Sequence, residues 1–320
     1  MNHIPQLMKL TPHIAKTIWG GDRLSKLKNI SGDKVGETWE LSNLREGASS
    51  FQGRRITDVV KNNPKEFWGE SGDLSYLIKF IDTNDNLSVQ VHPDDEFAKK
   101  HENSRGKSEC WLILDAPTGD GIYLGSKAGV NRDKFQEAIA KKEDLSKFLN
   151  FYKVERGNFF FVPSGTLHAI GKNIFLLEIQ QSSGITYRAW DWNRVDENGK
   201  PRELHINKAL QVINFDKKHN SDKNFQFKKD VFKDEIGKVL LTHPEFKVEL
   251  FKVLTTEEKT FSLKNDKRAR AVIGLEGKIV IKRGEEEESL SPYQTILCPF
   301  SGEKELTISG QSDSVFVMVS

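Results

Sequence analysis

Short apolar or alternating runs bounded by turn-forming residues dominate the hydrophobic pattern of the chain. Examples are YLIKFI, ECWLIL, IFLLEIQ and SVFVMVS, and Gly, Asn, Asp or Pro stands near their ends. Such punctuation is typical of strands joined by tight turns. The pattern therefore predicts a mainly β protein whose framework is formed by antiparallel jelly-roll sandwiches or barrels.

Helical periodicity is confined to three segments, at about residues 56–69, 131–152 and 201–214. The second segment places Phe135, Ile139 and Leu145 roughly on one stripe. The third opens with Pro201, a residue favoured in the first turn of a helix. We predict that these segments are helical inserts on the β framework.

The segment 214–235 is polar and rich in Lys and Asp. It is typical of a linker or an exposed connection, and a long surface loop of one domain is the alternative. We predict a catalytic domain over residues 1–235, which includes the helical inserts, and a second β domain over residues 236–320.

The two predicted domains share a weak internal similarity. ERGNFFFVPSGTLHAI and LSPYQTILCPFSGEKELTI both run in the order strand, Pro, small residue, Gly, strand. Glu303 and Lys304 stand where the first copy has Leu167 and His168. The second domain is therefore predicted to repeat the β fold without a metal site, and chance similarity of two hairpins is the alternative.

The stretch LSVQVHPDD has an unusual polar face. Side chains alternate along a strand, so Leu87, Val89 and Val91 are predicted to be buried together on one face. The other face carries Ser88, Gln90 and His92 rather than the charges expected of a solvated face. This polar face is predicted to point into the interior of the β domain.

Four residues in the first domain are candidate metal ligands: Gln90, His92, Glu109 and His168. Two neutral imidazoles, a carboxylate and an amide oxygen suit a borderline divalent metal such as zinc. Each residue also has a structural interpretation. A single His in a strand is often only hydrogen-bonded, and Glu109 could pair with a lysine.

Cationic residues near these ligands indicate an anionic substrate. Lys107 lies on the same strand face as Glu109, and Arg188 follows the strand IFLLEIQQ. A buried Arg prefers a carboxylate or phosphate partner. A structural salt bridge between Arg188 and Asp191 is an equally good interpretation from the residues alone.

The bulk composition excludes several classes of protein. The 320 residues carry a net charge of 48 − 46 = +2, which gives no reason to expect nucleic acid or an acidic membrane. No apolar run approaches the roughly 20 residues of a membrane span, and no secretory signal is recognisable. The two cysteines, Cys110 and Cys298, are expected to be buried thiols in a reducing cytosol. Motifs of phosphate loops, dinucleotide folds and serine esterases are missing.

The spacing around His168 resembles the second signature of the cupin superfamily, with Gly157, Pro163 and Gly165 at the expected positions. Gln90-x-His92 followed by a distant Glu109 resembles the pattern of type I mannose-6-phosphate isomerases. Blocks in the same order support this resemblance: IWGG, GETWELS, SVQVHPDD, GKSECW, FFVPSGTLHAIG, TYRAWDWNR and RELHINKAL.

The resemblance implies two cupin-like antiparallel β domains and one zinc ion per chain, held by Gln90, His92, Glu109 and His168. It implies a catalytic role for Arg188 and places Lys107 and Ser88 beside a sugar phosphate. The implied reaction interconverts D-mannose 6-phosphate and D-fructose 6-phosphate through an enediol. A zinc-bound water, Lys107 and Asp191 remain alternatives for the group that transfers the proton, and Asp191 is also a candidate substrate-binding residue.

Other functions remain open from the sequence. They are another cupin sugar-phosphate isomerase or epimerase, a non-haem iron oxygenase, and a sugar-binding protein without catalysis. The expected partner is a small sugar phosphate rather than nucleic acid or membrane. We expect a cytoplasmic protein that is a monomer or a weak homodimer.

Overall fold

A computed structural model describes residues 4–31, 34–195, 198–233, 237–253, 259–262, 267–310 and 313–320. Antiparallel strands form its framework, and its helices are few and short. The prediction of a mainly β protein with helical inserts is therefore confirmed. Each sheet in the described residues has two edge strands, so the sheets are open rather than closed barrels.

The strands, in chain order, are β1 Met8–Lys9, β2 His13–Gly21, β3 Val35–Leu41, β4 Ser50–Phe51, β5 Arg54–Arg55, β6 Tyr76–Asp82, β7 Val89–Val91, β8 Glu109–Asp115, β9 Gly121–Ser126, β10 Leu149–Lys153, β11 Phe159–Val162, β12 His168–Ile170, β13 Phe175–Gln181, β14 Tyr187–Trp190, β15 Lys238–Thr242, β16 Lys247–Val253, β17 Lys259–Ser262, β18 Arg270–Glu276, β19 Ile279–Arg283, β20 Glu286–Leu290, β21 Thr295–Cys298, β22 Glu305–Gly310 and β23 Ser314–Val319.

The helices are α1 Arg23–Leu27, α2 Ile56–Val60, α3 Pro64–Trp68, α4 Asp95–Glu102, α5 Arg132–Ala140 and α6 Ile206–Val212, with a 3₁₀ helix at Leu145–Phe148. The three predicted helical segments contain α2 with α3, α5 with the 3₁₀ helix, and α6. Residues 149–152 of the second segment belong instead to strand β10. The sequence pattern did not predict α1 and α4.

The chain divides into two compact units. One contains Met1–Ala15, Thr38–Lys79 and Lys233–Ser320, and the other contains Lys16–Glu37 and Phe80–Phe232. We name them the C-terminal unit and the central unit. The predicted domain boundary at residue 235 stays a prediction, because residues 234–236 lie outside the described residues.

The C-terminal unit holds two large sheets, with strand orders β1-β21-β18-β23-β16-β15 and β17-β22-β19-β20. One buried cluster takes apolar side chains from both sheets, as expected for a sandwich. Its members include Val272, Phe316, Ile281 and Ile308.

The central unit also has a sandwich core. Its five-stranded sheet has the order β10-β9-β12-β7-β14, and strands β11, β8 and β13 are adjacent in a second sheet of order β11-β8-β13-β6-β3-β2. An interior cluster joins Leu124 and Ile170 of the first sheet to Trp111 and Leu176 of the second. The opposite face of the five-stranded sheet packs against the helices α5 and α6, so it is also buried.

Strand β7 shows how this arrangement uses both faces. Val89 and Val91 are fully buried, but they lie in the cluster formed with the helices. Leu87 precedes β7 and packs in the interior cluster instead. The prediction that all three residues are buried is confirmed. The prediction that they lie together on one face is wrong, because the regular strand begins only at Val89 and alternation does not extend back to Leu87.

The segment predicted as a linker is only partly exposed. Phe225 is fully buried in the interior cluster of the central unit. Lys228 forms an isolated β-bridge with Phe159, and the amide of Val231 donates to the carbonyl of Gly157. Apolar residues scattered in the polar segment therefore fasten it to the central unit. Within the described residues no helix has the length and apolarity needed to span a membrane.

Candidate metal centre

One row of side chains crosses the five-stranded sheet of the central unit. His168 on β12 pairs with Leu124 on one side and with Gln90 of β7 on the other, and Gln90 pairs in turn with Arg188 of β14. Directly paired residues point to the same face of an antiparallel sheet. Since Leu124 belongs to the interior cluster, the other three side chains also face the interior of the sandwich.

Glu109 reaches the same interior from the other sheet. It opens β8 and shares a face with Trp111 and Ile113, both members of the interior cluster. Its cross-strand partner on β13 is Gln180. The strand pattern thus aims the candidate ligands of two sheets at one point.

The three ionisable candidate ligands meet there. Nε2 of His92 and Nε2 of His168 each lie 3.4 Å from a different oxygen of Glu109. Each residue offers one ligand atom, and these atoms all lie within 4.8 Å of one another. All three residues are at least 99% buried. Gln90 completes the group, since its amide nitrogen lies 3.2 Å from Nε2 of His168.

Main-chain carbonyls fix the orientation of both imidazoles. Nδ1 of His92 lies 2.8 Å from the carbonyl oxygen of Ile185, and Nδ1 of His168 lies 2.9 Å from that of Thr166. Because a carbonyl can only accept, each Nδ1 carries the proton and each Nε2 keeps its lone pair. This arrangement is the usual one for histidines that bind a metal through Nε2.

The electrostatic environment keeps the ligands in the protonation states that a metal needs. Burial, with the nearby charge of Lys107, lowers the pKa of His92 to about 3. Burial likewise lowers the pKa of His168. Burial opposes ionisation of Glu109, but Lys107 and His92 outweigh it and hold its pKa well below the usual range. Near neutral pH the centre therefore offers two neutral imidazoles and a carboxylate.

Lys107 is the cation of the centre. Its Nζ lies 3.0 Å from Oε2 of Glu109 and 3.2 Å from Nε2 of His92. Its side chain is only 6% exposed. The predicted position of Lys107 on the face of Glu109 is thus what the structure shows.

Ser88 and Arg188 flank the ligands. The hydroxyl of Ser88 lies 3.4 Å from the amide oxygen of Gln90. Arg188 donates from Nη1 to the carbonyl of Glu203 at 2.7 Å, and its buried Nε has no hydrogen-bond partner in the described part of the chain. Burial and the nearby Arg202 lower the pKa of Arg188, and its orphan N–H is suited to an anionic ligand.

Asp191 does not join this group. Its carboxylate binds Arg194 at 2.6 Å and forms a two-pronged pair with Arg202. Those two arginines outweigh burial and lower the pKa of Asp191. Among the described residues it makes no hydrogen bond or ion pair with the candidate ligands, and the alternative salt bridge with Arg188 is not formed.

Sequence reasoning missed several polar residues around the centre. Gln180 is fully buried opposite Glu109, and its amide oxygen has no partner among the described residues. Thr166, whose carbonyl accepts from His168, also has its Oγ1 2.9 Å from Nε2 of His219. The polar alternation in FLLEIQQ is a signal that could have identified Gln180, but nothing local to residue 219 indicates its contact.

The donor set fits a divalent metal. Although Lys107 lies at ion-pair distance, neither oxygen of Glu109 has a partner in hydrogen-bonding geometry among the described residues. Lys107 lies beside Oε2, so the buried Oε1 can still accept a metal ion. Two imidazole nitrogens and a carboxylate match the ligand types of zinc, and the neutral amide of Gln90 is an unusual fourth donor. A metal-binding cluster of His92, Glu109 and His168 is therefore present.

Comparisons with known proteins show which family this chain resembles. Residues 7–119 match the family described as phosphomannose isomerase type I, catalytic domain. The chain is 40% identical to the "Probable mannose-6-phosphate isomerase GmuF" of Bacillus subtilis over 67% of its own length and 71% of the relative. It is 38% identical to the mannose-6-phosphate isomerase of Streptococcus mutans, over 66% and 69%.

A solved structure extends the match to almost the whole chain. The crystal structure of mannose 6-phosphate isomerase from Bacillus subtilis superposes with a TM-score of 0.83 at 26% identity. The alignment covers 99% of this chain and all of that one. Fold, cluster and sequence relatives lead to one conclusion: the chain belongs to the type I mannose-6-phosphate isomerase family.

Proposed function

We propose that this protein interconverts D-mannose 6-phosphate and D-fructose 6-phosphate through an enediol, with one zinc ion per chain. The observation that carries the proposal is the buried cluster of His92, Glu109 and His168 beside Lys107. The relatives from Streptococcus mutans and Bacillus subtilis that bear the name mannose-6-phosphate isomerase support the substrate.

In this proposal His92, Glu109 and His168 hold the metal, and Gln90 contributes its amide oxygen as the fourth ligand. The amide nitrogen and oxygen of Gln90 are interchangeable in shape, so the group 3.2 Å from His168 can present either atom. When bound, the metal supplies Lewis acidity that polarises the carbonyl and hydroxyl oxygens of the sugar.

The reaction moves one hydrogen between two carbons. After ring opening, the proton on C2 of the aldose leaves, its electron pair forms the C1=C2 double bond, and O1 gains a proton. A proton then adds to C1 while O2 loses its proton and becomes the carbonyl oxygen of the ketose. The protein must therefore bind the open chain, exchange protons and stabilise negative charge on O1 and O2.

Lys107 is the residue best placed to exchange a proton with the sugar. Its Nζ lies 3.0 Å from Glu109 and 3.2 Å from His92, two of the proposed metal ligands. Asp191 is a weak base because Arg194 and Arg202 lower the pKa of its carboxylate and bind its oxygens. We assign the proton transfers to Lys107 on this ground.

Arg188 supplies positive charge from the adjacent strand. Its partnerless Nε faces the interior in the row of Gln90 and His168. We assign it to the developing enediolate. Ser88 lies two residues before Gln90, with its hydroxyl 3.4 Å from the amide oxygen of Gln90. We assign it to binding of the sugar phosphate.

Metal removal and restoration test the proposal. The purified chain, stripped by a chelator, should not isomerise mannose 6-phosphate, and added zinc should restore the reaction. Manganese and cobalt, added in parallel, establish which metal supports the highest turnover. Isomerisation that is absent after zinc loading, or that is undiminished in verified metal-free protein, contradicts the proposal.

A further inference from the structure

We propose that Thr166 and His219 are positioning residues, through which the loop 214–224 holds the turn that orients both metal-binding histidines. The inference rests on the metal centre of the proposed function. Sequence reasoning assigned residues 214–235 to a linker or exposed connection, and the contacts give part of that segment another role.

The turn over residues 163–166 touches both histidines through its main chain. The amide of Gly165 donates to the carbonyl of His92 at 2.8 Å. The carbonyl of Thr166 accepts the Nδ1 proton of His168 at 2.9 Å. A displacement of this turn would therefore disturb one ligand at its backbone and the other at its ring.

The loop 214–224 makes two hydrogen-bond contacts with the same turn. The amide of Asn214 donates to the carbonyl of Gly165 at 2.9 Å. Nε2 of His219 lies 2.9 Å from the hydroxyl of Thr166, which is fully buried. One contact is main chain to main chain, and the other is the side-chain pair that mutation can remove.

The loop is itself fastened, so it can act as a support. The side chain of Asn220 donates to the carbonyls of Asn214 and Asp216, and its amide oxygen accepts from the backbone of Ser126. The side chain of Asn224 donates to the carbonyl of His219 at 2.8 Å. His219 is thereby held at its backbone while its ring reaches Thr166.

The orientation of a metal-binding histidine depends on the group that accepts the hydrogen bond from its other ring nitrogen. Loss of such partners typically weakens metal binding about 10–100-fold. The Thr166 hydroxyl acts one step further away, through its own carbonyl. We therefore expect the lower end of that range, about 10-fold, when the pair is broken.

The test compares an isosteric variant of Thr166 with a variant that keeps the hydroxyl. Thr166→Val keeps the carbonyl that binds His168 but removes the hydroxyl, whereas Thr166→Ser retains the hydroxyl. Dissociation constants for Zn²⁺ and Co²⁺ are measured by chelator competition, together with the Co²⁺ absorption spectrum. We expect Thr166→Val to bind about 10-fold more weakly with an altered spectrum, and Thr166→Ser to resemble the wild type.

Variants of His219 test the same contact from its other side. His219→Ala should match Thr166→Val, and the double variant should be no worse than either, because both remove one bond. His219→Gln should recover part of the affinity. His101→Ala, on the exposed face of α4, is the matched control with unchanged metal binding.

The outcomes separate this inference from the proposed function. Wild-type Co²⁺ affinity and spectrum in Thr166→Val, or full additivity in the double variant, overturn the positioning role even if the wild type isomerises the sugar. Conversely, weakened metal binding in the variants of a protein without isomerase activity supports the positioning role and overturns the proposed function. At saturating zinc the wild type and the variants should share one KM, because the loop acts on the metal.

Discussion

At the scale of the residue, Glu109 is where the contacts of the centre converge. It lies within 3.4 Å of both imidazoles and 3.0 Å from the ammonium of Lys107. It is fully buried, and neither oxygen has a hydrogen-bond partner among the described residues. The negative charge of Glu109 therefore balances the buried ammonium of Lys107 and is also available to the proposed metal.

Replacing Glu109 should weaken metal binding and also destabilise the fold. In Glu109→Gln we expect zinc occupancy to fall below a tenth and the free energy of unfolding to drop by about 3–5 kcal/mol, because Lys107 stays buried without its counterion. Metal analysis and urea unfolding measure the two effects. The double variant with Lys107→Met should recover much of the stability but not the metal. Full zinc occupancy in Glu109→Gln would show that the cage is wrong.

Acid should destabilise the metal-free protein through the buried imidazoles. The pKa of His92 is about 3 in the folded protein, against about 6.5 in an unfolded chain. Between these values the unfolded chain binds more protons, so the free energy of unfolding falls as pH decreases from about 6.5 to 3. The lowered pKa of Glu109 acts in the same direction below its ordinary value.

Urea unfolding of the chelator-treated protein from pH 7 to 4 measures this slope. His92→Gln should show a flatter dependence, since it removes one of the groups responsible. His101→Ala serves as a control for the loss of an exposed histidine. Equal slopes for the wild type and His92→Gln would contradict a buried neutral imidazole at this position.

The residue patterns predict part of the centre and not the rest. Alternation along strands correctly placed Gln90, His92 and Glu109 on faces that meet. It could not assign the partner of Asp191, because Arg202 comes from a separate segment. Gln180 was missed for a similar reason, since its importance depends on which residue pairs with it across the sheet.

At the scale of the element, strand β7 separates stability from chemistry. Val91 packs against the helical face, whereas Gln90 faces the ligands. Val91→Ala should lower the free energy of unfolding by about 2 kcal/mol, from lost burial and a cavity. Metal affinity should change less than about 3-fold, because the turn and carbonyls that orient the imidazoles remain.

Gln90→Leu is the matched variant on the opposite face. It should weaken zinc binding about 10-fold or more with a smaller effect on stability, because the ligand is lost while apolar volume is kept. Urea unfolding and chelator competition on both variants measure the contrast. Similar losses of metal affinity in the two variants would show that the faces are not independent.

Helix prediction failed where local pattern and tertiary context disagree. Helix α4 has little apolar stripe and only Ala98 is buried, but Asp94 caps it by accepting from the amide of Phe97 at 2.8 Å. The predicted helix over 131–152 breaks near Lys142, whose φ is +55°. Beyond the break the chain pairs with β9, a long-range contact that periodicity cannot show.

At the scale of the whole molecule, apolar alternation predicted sandwiches in both halves, and each unit has a core shared by two sheets. What differs is the content of the interior. The central unit holds the polar centre, whereas the buried Arg283 of the C-terminal unit donates to the main-chain carbonyls of Glu303 and Pro299. The buried charges of the metal centre thus have ionisable partners, whereas Arg283 is held by backbone carbonyls.

The carbonyls that accept from Nδ1 of His92 and His168 also decide how the protein exchanges protons with its solvent. Both imidazoles are already neutral and Glu109 is already ionised near pH 7. Most sites release protons when a metal enters, but here the ligands have none to release. Calorimetric heats of zinc binding near pH 7 should therefore coincide in buffers of different ionisation enthalpy, and a clear buffer dependence would contradict these protonation states.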